Sequence, residues 1–316
     1  MSKNESGELS QAIRRLCKEK NAIIMAHYYT RPEIQEVADF IGDSLALAQK
    51  ATQVQADIIV MCGVHFMGET IKILCPDKKV LIPDMAAGCS LADSCKATDL
   101  AKFKAEHPGY MVVSYVNTSA DVKALTDVVV TSSNARKIID QLPADAKIIF
   151  GPDKNLGHYI NSVTGRDMLL WDGACHVHSR FSLEALLALK QQYPDAPVLA
   201  HPECKALILS QADVVGSTKA LLDYAKQSPA KRFIVVTESG ILHEMQKACP
   251  DKEFITVPPE ISEGVGCQCN ECEYMRLNTL EKLYNCLRNE KPEVQVPADI
   301  AERAVRPIHK MLDMSK

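Results

Sequence analysis

The chain has 316 residues, of which 24% are charged, and carries a net charge of −4 with no long Lys/Arg run. That balance excludes a nucleic acid or a membrane surface as the main partner, and no stretch of about eighteen apolar residues is present to span a bilayer. The opening MSKNESGELSQ is polar and lacks the apolar core of a secretory leader, so the expectation is a soluble, cytoplasmic protein.

Short apolar runs rich in Val and Ile predict buried parallel strands at Ala22–Ala26, Asp57–Met61, Val80–Ile82, Met111–Val113, Lys147–Phe150, Pro197–Ala200 and Phe233–Val236. Between them, helical spacing predicts helices over Pro32–Phe40, Ser44–Thr52, Ala135–Gln141 and Ser217–Lys226. Alternation of this kind means βαβ crossovers and parallel sheets. Aromatic residues are only 5% of the chain, with a single Trp171, which points to an aliphatic core between α and β layers. The tail predicts a linker from Pro292 and a helix over Pro297–Leu312. That helix packs either on the first part of the chain or over the active site, and the sequence leaves both open.

A repeat underlies the alternation. Strand ends occur at AHYY, SYVN and AHPE, with His27 and Tyr29, Tyr115 and Asn117, and His201 and Glu203 at matched places. Seventeen residues after His27, Tyr115 and His201 come the hydroxyls Ser44, Ser132 and Thr218, each behind a similar string, FIGDS, VVVTS and VVGST. Thirty-six residues after the same starts lie the ends of DIIVMCG, AKIIFGPD and RFIVVTESG. The expected fold is therefore α/β, with three pseudo-equivalent αβα units holding small parallel sheets around a pseudo-threefold axis. Their expected spans are 1–108 with an N-terminal helix, 109–194, and 195–316 with a helical tail. A single (β/α)8 barrel is the rival, but its units are far shorter than a period of about 87 residues. Ligands of open α/β sheets bind beyond the carboxyl ends of the strands, which is where the repeated polar residues fall.

Twelve cysteines are many for a chain of 316 residues. Cys17, Cys62, Cys75, Cys204, Cys249 and Cys286 read as small buried hydrophobes. The others follow the repeat. Late in each unit an acid and a short loop precede a cysteine, in VLIPDMAAGCSLADSC, DMLLWDGACHVHSRF and FITVPPEISEGVGCQCNECEYM. Cys89 lies 62 residues after His27 and Cys175 lies 60 after Tyr115. Cys267, Cys269 and Cys272 lie 66, 68 and 71 after His201, and spacing favours Cys267. A closed structural zinc site takes four protein ligands, whereas a [4Fe–4S] cluster on three cysteines keeps one iron open as a Lewis acid that helps a hydroxyl or carbonyl oxygen leave as water.

Along nearly its whole length the chain resembles the bacterial quinolinate synthase A family. The resemblance is carried by AHYYTRPEIQEVADFIGDSLALAQKA, SYVNTSADVKA, GPDKNLG, HPEC, GSTKAL and CEYMRLNTLEKL. It implies three stacked αβα domains around a [4Fe–4S] cluster with Cys272 as the third ligand beside Cys89 and Cys175. It also implies a condensing, dehydrating transferase of NAD biosynthesis that joins iminoaspartate and dihydroxyacetone phosphate into quinolinate. Phosphate and two waters are lost, and an L-aspartate oxidase supplies the imine. The family often carries C-x-x-C-x-x-C where this chain has Cys267-x-Cys269-x-x-Cys272, so a Cys269–Cys272 redox pair is less expected than the cluster.

Small anionic substrates call for hydroxyls, amides, imidazoles and helix starts. Ser44, Ser132 and Thr218 are read as helix openers that hold carboxylate and phosphate, or simply as N-caps, with Ser217 beside them. Tyr115 and Asn117 are expected to orient a carboxylate. Glu203 is the expected base, with His27, Tyr29 and His201 as partners. A second reading takes His176-x-His178 as the metal pair of a zinc or iron hydrolase on a barrel. A third, a zinc-ribbon binding module, fails because no second C-x-x-C knuckle follows. No G-x-G-x-x-G opens a βαβ unit and no P-loop is present, which speaks against a nucleotide cofactor.

Overall fold

In a computed structural model, which describes residues 3–260 and 270–316, the chain forms three four-stranded sheets, every strand pair parallel. The first holds β1 (Ala22–His27), β2 (Phe40–Gly42), β3 (Ile58–Cys62) and β4 (Lys79–Leu81). The second holds β5 (Met111–Tyr115), β6 (Val128–Val130), β7 (Ile148–Gly151) and β8 (Leu169–Leu170). The third holds β9 (Val198–Ala200), β10 (Val214–Val215), β11 (Arg232–Val236) and β12 (Glu253–Thr256). All three share one strand order, second-first-third-fourth. The register matches too, since Ala26 pairs with Cys62, Ser114 with Gly151 and Ala200 with Val236. The expected α/β fold of three similar units is the one observed, and the single barrel is not.

The sheets are short and covered by helices on both faces, so their central strands are apolar throughout rather than alternating. β3, IIVMC, is buried at every residue. The expected helix Pro32–Phe40 is shorter, Pro32–Val37, because Phe40 leaves it to pair with β1. Strand pairing there overrides helical spacing. The strings VVV and VV before Ser132 and Thr218 are likewise the edge strands β6 and β10.

A threefold device starts each sheet. The carboxylate of Asp39 accepts from the N–H of Ile24 at 2.8 Å, Asp127 from Val112 at 2.7 Å and Asp213 from Val198 at 2.8 Å. Each Asp returns its own N–H to the same residue's carbonyl at 2.9 Å. The two bonds lock the second strand beside the first, and a charge-assisted bond of this type contributes roughly 1.5–3 kcal/mol.

The units meet at small residues. A Cβ on Gly240 would lie 2.7 Å from Tyr29 Cα, and one on Gly173 would lie 2.5 Å from the Pro152 carbonyl and 2.4 Å from Ser94 Oγ. Larger side chains at either place would force backbones apart. Helix Leu280–Asn289 packs on helix Lys3–Glu19, and Leu283 and Leu287 join Ile13 and Ile24 in one apolar cluster. The last helix, Ala298–Met314, lies on helices His65–Leu74, Ala120–Lys123 and Ala135–Gln141 and on β6, so it ties the first unit to the second. No helix among the described residues is long and apolar enough to cross a membrane.

Two donors hold the loops that follow β1 and β5. Gln35 Nε2 donates to the carbonyls of Tyr28 and Thr30, both at 2.9 Å, and of Gly240 at 3.1 Å. Eighty-eight residues on, the fully buried Lys123 donates to the carbonyls of Val116, at 2.9 Å, and Thr118, with its ammonium 5.4 Å from the Phe66 ring centroid. Burial pushes the Lys123 amine down to about 8, against the opposing charge of Glu69. Lys123→Met strands two buried carbonyls and should destabilise the protein by roughly 2–4 kcal/mol. Lys123→Gln, which restores the donor used at Gln35, should recover part of that loss, as read by urea denaturation of the two variants.

Candidate active site

One cavity lies where the carboxyl ends of the three sheets converge. It leaves about 700 Å³ free of protein atoms, its mouth included, and every expected site residue except Ser217 lines it. From the first unit come His27, Tyr29, Ser44 and Cys89; from the second, Tyr115, Asn117, Ser132 and Cys175; from the third, His201, Glu203, Thr218 and Cys272. Cys267 and Cys269 lie outside the described residues.

Each cysteine stands at the start of a helical turn. Cys89 precedes helix Ser90–Asp93, and Cys272 precedes helix Glu273–Arg276. Cys175 accepts at its carbonyl from the N–H of Ser179 across the turn His178–Arg180. Burial pushes the thiols up, Cys89 to about 11, Cys272 to about 12 and Cys175 well above its ordinary value. Backbone N–H groups of the turns, from Ala92 and Leu91 at Cys89 and from Met275 at Cys272, oppose the rise. Such thiols become thiolates when a metal replaces their protons.

Two buried acids hold the loops of these cysteines. Asp153 Oδ2 accepts from the N–H of Cys175 at 2.9 Å, while its Oδ1 caps helix Lys154–Thr164 through Leu156 at 2.8 Å. Glu238 Oε1 accepts from the N–H of Cys272 at 2.9 Å and its Oε2 from Gly240 at 2.6 Å. By register, Asp153 and Glu238 occupy the same place, two residues past the β7 and β11 positions paired with Ser114 and Ala200. The first unit has Val64 there. Burial pushes Glu238 up to about 8 against the pull of Arg276, and Asp153 rises for the same reason with Glu203 adding to it.

Glu203 is the most constrained group. Its side chain is 4% exposed, with Oε2 at 2.8 Å from His178 Nδ1 and 3.3 Å from His201 Nδ1. Its Oε1 is buried with no partner, and its carbonyl accepts from Asn155 Nδ2 of the second unit at 3.1 Å. Burial raises the carboxyl, but the facing imidazoles, His178 first and then His201, hold it below the usual range. The far side of His178 continues outward. Its Nε2 is 2.9 Å from Thr237 Oγ1, which is 2.9 Å from the Tyr29 hydroxyl, itself 2.7 Å from Thr218 Oγ1. This chain of hydrogen bonds joins all three units, with Tyr29 of the first and His178 of the second meeting at Thr237 of the third. Asn117 Oδ1 is also buried without a partner, and Tyr115 bonds to Ser132.

The helix-opening residues divide in a way the repeat alone does not reveal. Asp43 and Ser217 cap, accepting from Ala46 and Ala220 at 3.0 and 3.3 Å, so Ser44 and Thr218 are first helical residues with hydroxyls free of capping. Ser217 thereby turns to its helix and off the cavity wall. Ser132 opens no helix. It lies in a turn in which Asn134 Oδ1 accepts from Thr131 N, and the helix begins at Ala135. No Lys or Arg lines the cavity among the described residues, so anions there meet hydroxyls, amides, imidazoles and helix starts.

His176 and His178 do not act as a pair. His176 Nδ1 bonds Ser90 Oγ at 2.6 Å, while His178 faces Glu203. Sequence reasoning gave His178 a place only in the metal pair of the second reading and left Thr237, Asp153 and Glu238 outside the expected site. The acids were marked by the repeat, since both lie two residues past the third strand of their units, but nothing local marks which imidazole meets Glu203.

The quinolinate synthetase A protein family matches residues 11–313. A quinolinate synthase of Synechococcus sp. is 55% identical over 308 residues, 98% of this chain and 95% of the relative. Those of Chloroherpeton thalassium and Thermosynechococcus vestitus are 54% and 55% identical, over 98% of this chain and 95% and 96% of theirs.

His27 provides a test of the electrostatics. Its Nδ1 accepts from Tyr29 N at 3.2 Å, and burial, followed by the proximity of His201, pushes it down to about 3 against Glu203. A depressed histidine contributes stability that is complete above its unfolded value near 6.5 and is lost as pH falls towards 3. A displacement of that size is worth roughly 4–5 kcal/mol. His27→Asn, which keeps an acceptor for Tyr29, should therefore lose stability less steeply than the parent between pH 6.5 and 3. Calorimetric melting of both metal-free proteins across that range should show the gap closing with acid.

Proposed function

The chain belongs to the quinolinate synthetase A protein family and is an enzyme of that kind, and from that premise we propose that it condenses iminoaspartate with dihydroxyacetone phosphate. The products are quinolinate, phosphate and two waters, in the cytoplasm and as a step towards NAD, with an L-aspartate oxidase supplying the imine. The expected division at 108/109 and 194/195 belongs to the same reading, with each unit contributing one cysteine. The observation that supports it most is the convergence of Cys89, Cys175 and Cys272 on one cavity beside a buried carboxylate with an unpartnered oxygen.

The residues fit a [4Fe–4S] cluster. Three thiols at helical turns offer the soft donors that iron–sulfur sites use, and unpaired Glu203 Oε1 and Asn117 Oδ1 leave polar capacity for what the cavity binds. Cys89, Cys175 and Cys272 would hold the cluster, which when bound supplies an open iron that polarises a substrate oxygen. The other steps rest on side chains. Ser44 and Thr218, at helix starts, and Ser132, in its turn, bind carboxylate and phosphate. Tyr115 and Asn117 orient a carboxylate. Glu203 Oε1 takes protons from carbon, as the ketone-to-aldehyde tautomerisation and the later eliminations require, while His178 and His201 hold Oε2. Tyr29, hydrogen-bonded to Thr237 and Thr218, and His27, with its Nδ1 occupied by a backbone N–H, act in this reading as the partners that return protons to leaving oxygens.

Protein purified without oxygen should be brown and carry about four iron and four sulfide per chain. Cys89→Ala should lose most of that iron; full retention would remove Cys89 from the ligand set. Glu203→Gln should keep the cluster spectrum yet lose turnover by about 10²-fold or more. Normal turnover in that variant would remove Glu203 as the base.

A further inference from the structure

We propose that Cys175, His178 and Glu203 form a second metal site, for a single divalent cation of the zinc class, exclusive of the iron–sulfur cluster because Cys175 serves both. Zinc binding stands on the geometry alone; the exclusivity rests on the reading of Cys175 as a cluster ligand.

The donor atoms already converge. His178 Nδ1 is 3.3 Å from Cys175 Sγ and 2.8 Å from Glu203 Oε2, and one ligand atom from each residue lies within 4.8 Å of the other two. Ligands of a tetrahedral zinc at bond lengths of about 2.0–2.3 Å stand roughly 3.3–3.7 Å apart, so small side-chain adjustments suffice. One thiolate, one imidazole and one carboxylate leave a fourth position for water, the pattern of open zinc sites.

Each donor is also held from behind, as metal ligands require. His178 Nε2 bonds Thr237 Oγ1 at 2.9 Å, which leaves Nδ1 free to ligate in the neutral ring. The N–H of Cys175 is fixed by Asp153 at 2.9 Å, and the Glu203 carbonyl by Asn155 at 3.1 Å. An independent sign of a missing partner is Glu203 Oε1, buried and without a hydrogen bond in a cavity that no Lys or Arg lines among the described residues. Cys89 and Cys272 lie outside this triad. Asp153 and Glu238 spend their oxygens on backbone N–H groups.

Binding exchanges protons only. The proton of the Cys175 thiol passes to solvent as the metal takes its place, the neutral His178 ring keeps its single proton on Nε2 towards Thr237, and no electron moves. Zinc at this site occupies both a cluster ligand and the proposed base, so it would block cluster assembly.

The test uses the full chain, stripped of iron without oxygen, with zinc chloride as the added metal and cobalt(II) as its spectroscopic stand-in. One zinc per chain is expected, with a single-thiolate charge-transfer band for cobalt. Preloaded zinc should prevent reconstitution of the cluster until a chelator removes it. His178→Ala and Glu203→Gln should each bind zinc about tenfold or more weakly, with circular dichroism checking their fold. The near-isosteric Glu203→Gln decides the matter if His178→Ala does not fold. Cys89→Ser should keep the zinc site while failing to hold a full cluster. Loss of zinc in Cys89→Ser with retention in Glu203→Gln would put the metal on the three cysteines and overturn the site. Absence of zinc binding by the parent would overturn it as well, and unimpeded reconstitution over bound zinc would overturn the exclusivity. Zinc bound at the triad in a chain that never accepts iron would leave this site standing and refute the cluster reading instead.

Discussion

Three loops leave the carboxyl ends of parallel strands and meet at the centre of this protein, where every backbone polar group they bury needs a partner. Much of the conspicuous polar burial answers that requirement. Gln35 and Lys123 take the carbonyls of the loops after β1 and β5, and Asn155 takes that of Glu203 after β9. Asp153 and Glu238 take the amides of Cys175 and Cys272. Two of these donors, Gln35 to Gly240 and Asn155 to Glu203, cross from one unit to another, so the cavity wall and the joints between units share bonds. A buried lysine or glutamine of this kind is costly to leave unpaired, which makes the assembled arrangement the one that satisfies it.

The same constraint shapes the electrostatics. With no cation among the described residues of the wall, negative charge in the cavity is met by oriented neutral groups and helix starts, whose effect is strengthened by exclusion of water. Burial pushes thiols and acids up and His27 down. Glu203 escapes that trend because two imidazoles face one of its oxygens. The result is a wall in which the Glu203 carboxylate is held by imidazoles and the Asp43 carboxylate is spent on Ala46 N and Ser133 Oγ, a condition suited to proton transfer and to taking up a positively charged metal at Glu203.

Departures from threefold symmetry mark where the units specialise. The aspartates that start each sheet, Asp39, Asp127 and Asp213, are kept in all three, because a sheet needs the same lock wherever it sits. The position after the third strand is an acid in two units and Val64 in the first. The donor of Gln35 and Lys123 has Leu209 at the matching place of the third unit, where the loop is instead steadied through Asn155. Structure repeats while chemistry diverges.

By itself the amino-acid sequence determined the α/β class, the three strand-end clusters and the cysteine late in each unit. Apolar runs, turn residues and repeat offsets act locally along the chain and survive triplication. It did not determine that Phe40 would leave a helix for a strand, that Ser217 would cap and turn away, or that Ser132 would sit in a turn. Each of these is settled by a partner distant in the chain or by a cap that competes with it. Only the tertiary structure decided that His178 faces Glu203 while His176 turns to Ser90, and that the last helix ties the first unit to the second. Residues two apart in sequence look alike to spacing, yet the direction of the chain between them sends one imidazole to a carboxylate in another unit and the other to a serine. That choice depends on how the three sheets pack together, and that packing is governed by surfaces that no local pattern encodes.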